Sequence, residues 1–132
     1  MIKRQFTLYA ENKPGALSRI TRLLAGARIN IEGVSTAISG DVGLIQVVTS
    51  NSARTARILK RARVPYTIQK VLVETLPDKA GSLATITEKL AARNININYL
   101  YSTCSACGSN CSVIVSGDNL KAIEKIWKQH VL

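Results

Sequence analysis

Two stretches of the sequence bring together residue types that can do chemistry. The first is Asn12-Lys13-Pro14-Gly15, set between an alternating segment and a helical one. A glycine at such a junction permits a sharp turn and lets a ligand approach the backbone. The first N–H groups of the helix that follows lack intrahelical partners, and with the helix dipole they suit a carboxylate. Asn12 can bind an ammonium group or fix the loop. The same residues are also good turn formers, with Asn12 able to cap the helix and Asn30 able to close a strand entry, so a purely structural reading stands beside the binding one. A related loop, Asp78-Lys79-Ala80-Gly81, has Asp78 where the first has Asn12 and Ala80 where it has Pro14.

The second stretch is Cys104-Ser105-Ala106-Cys107-Gly108-Ser109-Asn110-Cys111. Three thiolates at this spacing could hold a metal ion or an iron–sulfur cluster, or a pair could cycle between dithiol and disulfide. No fourth metal ligand is evident, since His130 is the single histidine and lies far along the chain, although two chains could pool their thiols. Cys104 and Cys111 could equally act as small hydrophobes on strands, with Cys107 an incidental thiol. No resident cofactor is expected beyond such a metal at Cys104, Cys107 and Cys111.

The sequence shows no nucleophile–base pair and no phosphate-cradling Gly-Lys-Ser motif, which points away from an enzyme. Arg54, Arg57, Lys60, Arg61 and Arg63 crowd one helical segment, with Arg54, Arg57 and Arg61 on one stripe. A solvated helix face is the ordinary reading, and an anion or nucleic-acid patch is the sharper one. The strand around Gly43 to Thr49 lacks the aromatic residues that an RNA-recognition sheet needs.

The elements that must position these residues come twice. Gly15 to Ile31 aligns with Gly81 to Ile97 without a gap at an offset of 66, and nine of the 17 positions are identical. Past Tyr101 one extra residue sets Val47-Val48-Thr49-Ser50 against Ile114-Val115-Ser116-Gly117. Residues 2–10 alternate, with Ile2, Arg4, Phe6, Leu8 and Ala10 on one face and Lys3, Gln5, Thr7 and Tyr9 on the other, which predicts a strand. Leu17, Ile20 and Leu24 recur at helical spacing and predict a helix over 16–27. Strands follow at 29–38 and 43–50, then a helix capped by Ser52, then a long extended segment from Val64 to Leu76. The second copy continues with a helix at 81–93, a strand at 95–103, a turn at 105–110, a strand at 111–116 and a helix at 118–129. The expected fold is α+β: two ferredoxin-like βαββαβ repeats, residues 1–66 and 67–132, the second lacking its closing strand. The edge around Lys70 to Thr75, with Val71 and Val73 in it, is then expected to be open and to seek another strand. That strand is either one from the first copy or the same edge of a second chain.

The blocks Tyr9-Ala10-Glu11-Asn12-Lys13-Pro14-Gly15-Ala16-Leu17 and Arg28-Ile29-Asn30-Ile31 resemble the signature of ACT domains. So do Leu76-Pro77-Asp78-Lys79-Ala80-Gly81-Ser82-Leu83 and Asn94-Ile95-Asn96-Ile97. The resemblance spans essentially the whole chain, and the first half is also similar to the start of acetolactate synthase regulatory subunits. It implies an allosteric regulatory module that binds an amino acid at an interface between domains or subunits, with Asn12 and Asn30 hydrogen-bonding the ligand from facing loops. The implied ligand set is Asn12, Lys13, Pro14, Gly15, Ala16, Leu17, Asn30 and Ile31. Its counterpart in the second copy is Asp78, Gly81, Ser82, Leu83, Asn96 and Ile97. The implied partners are the amino acid, a metabolic enzyme under its control and a second copy in a homodimer or higher oligomer. A metal- or redox-sensing protein of the same fold is the alternative.

Composition agrees with a packed, water-facing protein. Of 132 residues, 46% are hydrophobic and 20% charged, enough apolar matter for a real core. No apolar run approaches the ~20 residues of a membrane span, and no secretory signal is visible, so a cytoplasmic location is expected. Eighteen Lys and Arg against eight Asp and Glu make a net charge of +10. Such a balance suits acidic ligands, anionic lipid or nucleic acid, but six aromatic residues in all offer little for base stacking and count against nucleic acid.

Overall fold

The computed structural model describes residues 1–104 and 109–131. Along the chain run β1 (Ile2–Glu11), α1 (Ala16–Gly26), β2 (Ile31–Ser39), β3 (Val42–Thr49), α2 (Ser52–Arg61), β4 (Tyr66–Pro77), α3 (Ser82–Ala92), β5 (Ile97–Cys104), β6 (Asn110–Gly117) and α4 (Leu120–Val131). The fold is α+β, a repeated βαββα order. It divides into two compact units, Arg4–Gln69 and Lys70–Leu132 together with Met1–Lys3. The expected turn at 105–110 falls largely on residues 105–108, outside the described part.

In the unit Arg4–Gln69, β1 pairs antiparallel with β3, Phe6 opposite Val47, and β2 pairs antiparallel with β3 on its other side. The Tyr9 N–H donates to the Pro65 carbonyl at 3.1 Å, where the chain enters the Tyr66–Gln69 part of β4. The period-2 side chains Phe6, Leu8, Ile45 and Val47 meet Ile20 and Leu24 of α1 and Leu59 of α2 in one core. Burial of each such side chain is worth roughly 1.5–3 kcal/mol. Gln5 and Thr7, on the opposite face of β1, are buried as well. Their polar atoms stay satisfied: Thr7 Oγ1 donates to Gln69 Oε1 at 2.6 Å, and Gln5 Nε2 lies 3.4 Å from Thr7 Oγ1. The α2 cap is Asn51, not Ser52; its extended backbone lets Oδ1 accept the Arg54 N–H at 3.0 Å.

In the other unit β4 pairs antiparallel with β6, and β6 with β5. The core repeats: Leu72, Leu76, Val113 and Val115 of the sheet meet Ile86 and Leu90 of α3 and Ile123 and Trp127 of α4. No strand follows α4 among the described residues. Met1–Lys3 takes the place of a closing strand. The Val73 N–H donates to the Met1 carbonyl at 2.9 Å, and the Met1 ammonium donates to the Val73 carbonyl at 2.9 Å. That ammonium also pairs with Glu74 at 2.7 Å and Glu124 at 3.2 Å. Beyond Met1, the Thr75 carbonyl accepts the Trp127 indole N–H at 2.9 Å. Of the two partners expected for the edge at Lys70 to Thr75, the strand at the start of the first copy is the one that covers it, and Val71 is fully buried, not poised to meet a second chain.

The alignment of the last strands also changes. Phe6 stands opposite Val47 and Leu72 opposite Val115, so Val47 corresponds to Val115, not Ile114. The second copy carries two extra residues in its hairpin, not one. A slip of one would turn every side chain of the strand to the wrong face, and Val47 and Val115 are the ones that enter the cores.

Gly117, at the end of β6, shows how closely this unit packs. A Cβ there would lie 2.6 Å from Ile123 Cδ1 and 3.0 Å from the Asn96 carbonyl. Gly117→Ala is expected to cost about 1–3 kcal/mol, the usual range for overpacking, read as a lower urea midpoint at unchanged slope. A midpoint equal to wild type would show that α4 has room to move.

Candidate functional site

The loop after β1 is held at the hairpin end of its sheet. The Asn12 N–H donates to the Asp41 carbonyl at 3.1 Å and the Lys13 N–H to the Glu11 carbonyl at 2.9 Å. Lys13 Nζ lies 2.9 Å from Glu11 Oε2, and this hydrogen bond, then the ammonium charge, holds the Glu11 carboxyl below the usual range. Gly15 turns the chain with φ 89° and ψ −11°, a left-handed conformation, and α1 begins with no side-chain cap and no acidic residue in its first turn. The capping role open to Asn12 is thus not used. Gly81 repeats the turn at φ 90°, and α3 also starts without a side-chain cap. By contrast, Asn51 caps α2, and in α4 the Ala122 N–H donates to Asn119 Oδ1. The two helices that follow the Gly loops have no side-chain cap; the first N–H of each, from Ala16 and Ser82, donates to the Lys13 and Lys79 carbonyls at 3.3 and 3.2 Å, and the rest of the first turn faces outward.

Each open N-terminus borders a cleft toward the hairpin. In the first unit the cleft measures about 560 Å³ and is lined by Glu11, Asn12, Lys13, Ala16 and Leu17 on one side and Thr36, Ala37, Ile38, Gly43 and Leu44 on the other. Pro14 and Gly15 line a second depression of about 420 Å³ with Tyr9, Arg19 and Val64. Leu17 begins the apolar stripe of its helix but remains 42% exposed, and Leu83 is 43% exposed at the same place in α3. Both leucines face clefts instead of cores.

Asn30 and Ile31 are not part of this cleft. Asn30 N–H donates to Ser50 Oγ at 3.0 Å and its carbonyl accepts the Ser50 N–H at 2.9 Å, at the far end of β3 from Asn12. Eight extended residues separate the two ends, roughly 25 Å at the usual strand rise. The second unit repeats the separation. Asp78 N–H donates to the Ser109 carbonyl at 3.0 Å, whereas Asn96 sits by Asn98 and Gly117 at the opposite end of β6, as does Ile97, which pairs with Gly117.

The second cleft, about 200 Å³, is lined by Asp78, Lys79, Ser82, Leu83, Leu100, Ser102, Cys104 and Cys111. Cys104 and Cys111 are opposite each other in the β5–β6 ladder with Cα atoms 4.2 Å apart, and a disulfide joins them. The expected trio of free thiolates is therefore not present in this state; Cys107 lies outside the described residues. In the first copy the same ladder positions are Ile38 and Gly43. Asp78 completes a cluster: one carboxylate oxygen and the two Sγ atoms all lie within 4.8 Å of one another. Spacing alone could not reveal Asp78 as their neighbour, because it comes from a strand end 26 residues earlier than Cys104. The residues that sequence reasoning missed in the clefts are Thr36, Ile38 and Leu44 of the first hairpin, and His130. His130 borders a depression with Gly81 and Ser82, and its Nδ1 lies 3.1 Å from Lys89 Nζ. The five basic residues of the α2 region are all exposed.

No described helix is long and apolar enough to cross a membrane. No curated protein sequence matches the chain. Among solved structures it is similar to protein BT0572 of Bacteroides thetaiotaomicron, with a TM-score of 0.89 and 26% identity over 98% of this chain and 88% of that one. It also resembles the ligand-free regulatory subunit of aspartate kinase from Thermus thermophilus, with a TM-score of 0.71 and 13% identity over 100% and 96% of the two chains. At that identity the likeness is one of fold. The sequence family described as an ACT domain pair matches residues 1–131. Duplicated βαββα units, Gly-turned helices with open N-termini and this match over nearly the whole length agree, and the chain belongs to the ACT domain pair family, a regulatory module.

Proposed function

We propose that this protein is an amino-acid sensor that regulates a separate metabolic enzyme, with its ligand in the cleft beside Asn12. The observation that carries this reading is the uncapped N-terminus of α1 opening beside a cleft with both polar and apolar walls. The ligand carboxylate meets the N–H groups of the first turn of α1 beyond Ala16, whose own N–H donates to the Lys13 carbonyl at 3.3 Å. Asn12 and the Glu11–Lys13 pair border its polar end, and Leu17, Ala37, Ile38 and Leu44 favour a small or apolar side chain. The similarity in fold to an aspartate kinase regulatory subunit supports control of an enzyme.

Asn12 and Asn30 can touch one ligand only if they come from different copies. β2 is bonded on one side, to β3, and presents Val34 and Ile38 at 47% and 65% exposure. Antiparallel pairing of β2 with β2 of a second chain would bring the Asn12 end of one chain to the Asn30 end of the other. A homodimer joined there would complete two equivalent sites.

Calorimetry with the standard amino acids tests the reading. One amino acid is expected to bind and to raise the melting temperature, by the equivalent of about 2.7 kcal/mol at a hundredfold excess over Kd. Asn12→Ala and Asn30→Ala are each expected to weaken binding roughly ten- to a hundredfold, the scale of a hydrogen bond to a charged group, without changing the ligand-free melting. Mixing the two variants should restore one intact site per mixed dimer. Neither heat nor thermal shift with any standard amino acid at millimolar concentration would overturn the sensor; tight binding by each variant alone would overturn the site.

A further inference from the structure

We infer that the second cleft is a thiol-gated site for a thiophilic divalent cation of the zinc class, held by Cys104 Sγ, Cys111 Sγ and an Asp78 carboxylate oxygen when the disulfide is reduced. This goes beyond the amino-acid reading and does not depend on it, because that reading uses the first cleft.

Four observations converge. The three donor atoms come from β4's end, β5 and β6, yet lie within 4.8 Å of one another. Two thiolates and a carboxylate are a soft-to-borderline set that suits zinc, and a set of three leaves a fourth position for water or a ligand. The repeat shows that the donors are not scaffold: at the equivalent ladder positions Ile38 and Gly43 have no donor side chain, and Asn12 stands where Asp78 does. Finally, Ser82 at the start of α3, 8% exposed and lining this cleft, has a buried hydroxyl with no hydrogen-bond partner among the described residues. Its counterpart is Ala16, which has no hydroxyl, so among the described residues the orphan belongs to the copy with the cysteines. A water or ligand in the fourth position would give that hydroxyl its partner. Lys79, also lining the cleft, offsets the residual negative charge of three anionic donors around a divalent ion.

The gate is thiol–disulfide exchange. A dithiol reductant supplies two electrons and two protons: the Cys104–Cys111 bond breaks, two thiols form, and the reductant closes its own disulfide. Metal binding then displaces the two thiol protons. In the oxidised state both sulfurs are tied to each other and the site is shut.

The test uses the whole protein, reduced with dithiothreitol and freed of it under nitrogen, then titrated with Zn²⁺ and with Cd²⁺. The expected result is uptake of one ion per chain, with sulfur-to-cadmium charge-transfer absorption in the ultraviolet. The oxidised wild type, folded by circular dichroism, is expected to take up none. Cys104→Ser and Cys111→Ser should abolish stoichiometric uptake, Asp78→Asn should weaken it about tenfold or more, and Cys107→Ser should leave it in place. Equal uptake by the oxidised protein, or none by the reduced one, would overturn the proposal. So would loss with Cys107→Ser alongside full affinity in Asp78→Asn.

Discussion

Trp127→Ala is expected to destabilise the protein by about 3–5 kcal/mol, the usual cost of emptying a large core site. Trp127 is 1% exposed and packs with Leu72, Leu76, Ile86 and Ile123. Its indole also covers the Thr75 carbonyl at 2.9 Å, at the point where Met1 ends the neighbouring strand. The loss is a large share of the 5–15 kcal/mol that keeps a domain folded. Trp127→Phe retains most of the volume but strands that carbonyl, for a cost of about 1–3 kcal/mol. Urea melts followed by circular dichroism should rank wild type above Phe above Ala, since the only tryptophan is lost to fluorescence in both variants. An Ala variant melting with wild type would remove α4 from the core.

Gly15→Val should lower both stability and amino-acid binding. Gly15 has φ 89°, where a β-branched residue is strained. Nothing lies within 4 Å of the Cβ it would acquire, so the cost is backbone strain and not collision. Strain of that kind is worth about 1–3 kcal/mol. If the chain relaxes to escape it, the first N–H groups of α1 turn away from the cleft, and binding falls with them. Gly15→Asn should lose less, because Asn tolerates the left-handed region. Gly81→Val should melt as low as Gly15→Val, since Gly81 has φ 90° and the same open surroundings, yet keep ligand affinity at the first cleft. Wild-type melting of Gly15→Val would make the turn an ordinary one, and full binding would separate the helix end from the ligand.

Much of the candidate site was legible locally. Asn12, Gly15 and Leu17 form one chain segment, and the strand-to-helix junction that presents them follows from period-2 and helical spacing on either side. The wall across the cleft was not legible. Thr36, Ile38 and Leu44 reach it because β2 and β3 fold back beside β1, and their spacing gives no hint of a shared cavity. Asn30, joined to Asn12 by resemblance, stands at the other end of the strands.

By itself the sequence determined the duplication, the order of strands and helices, and the Gly turns, because these rest on interactions within a few residues. Side-chain periodicity selects strand or helix, and a glycine is needed where φ is positive. Only the tertiary structure decided what meets across long separations. Met1 closes the sheet of the second unit against Val73, Val47 corresponds to Val115 and not to Ile114, and Asp78 joins Cys104 and Cys111. Strand edges and cross-chain donors are matched by backbone hydrogen bonding and core packing between distant segments, and no local spacing encodes which distant segment will satisfy them.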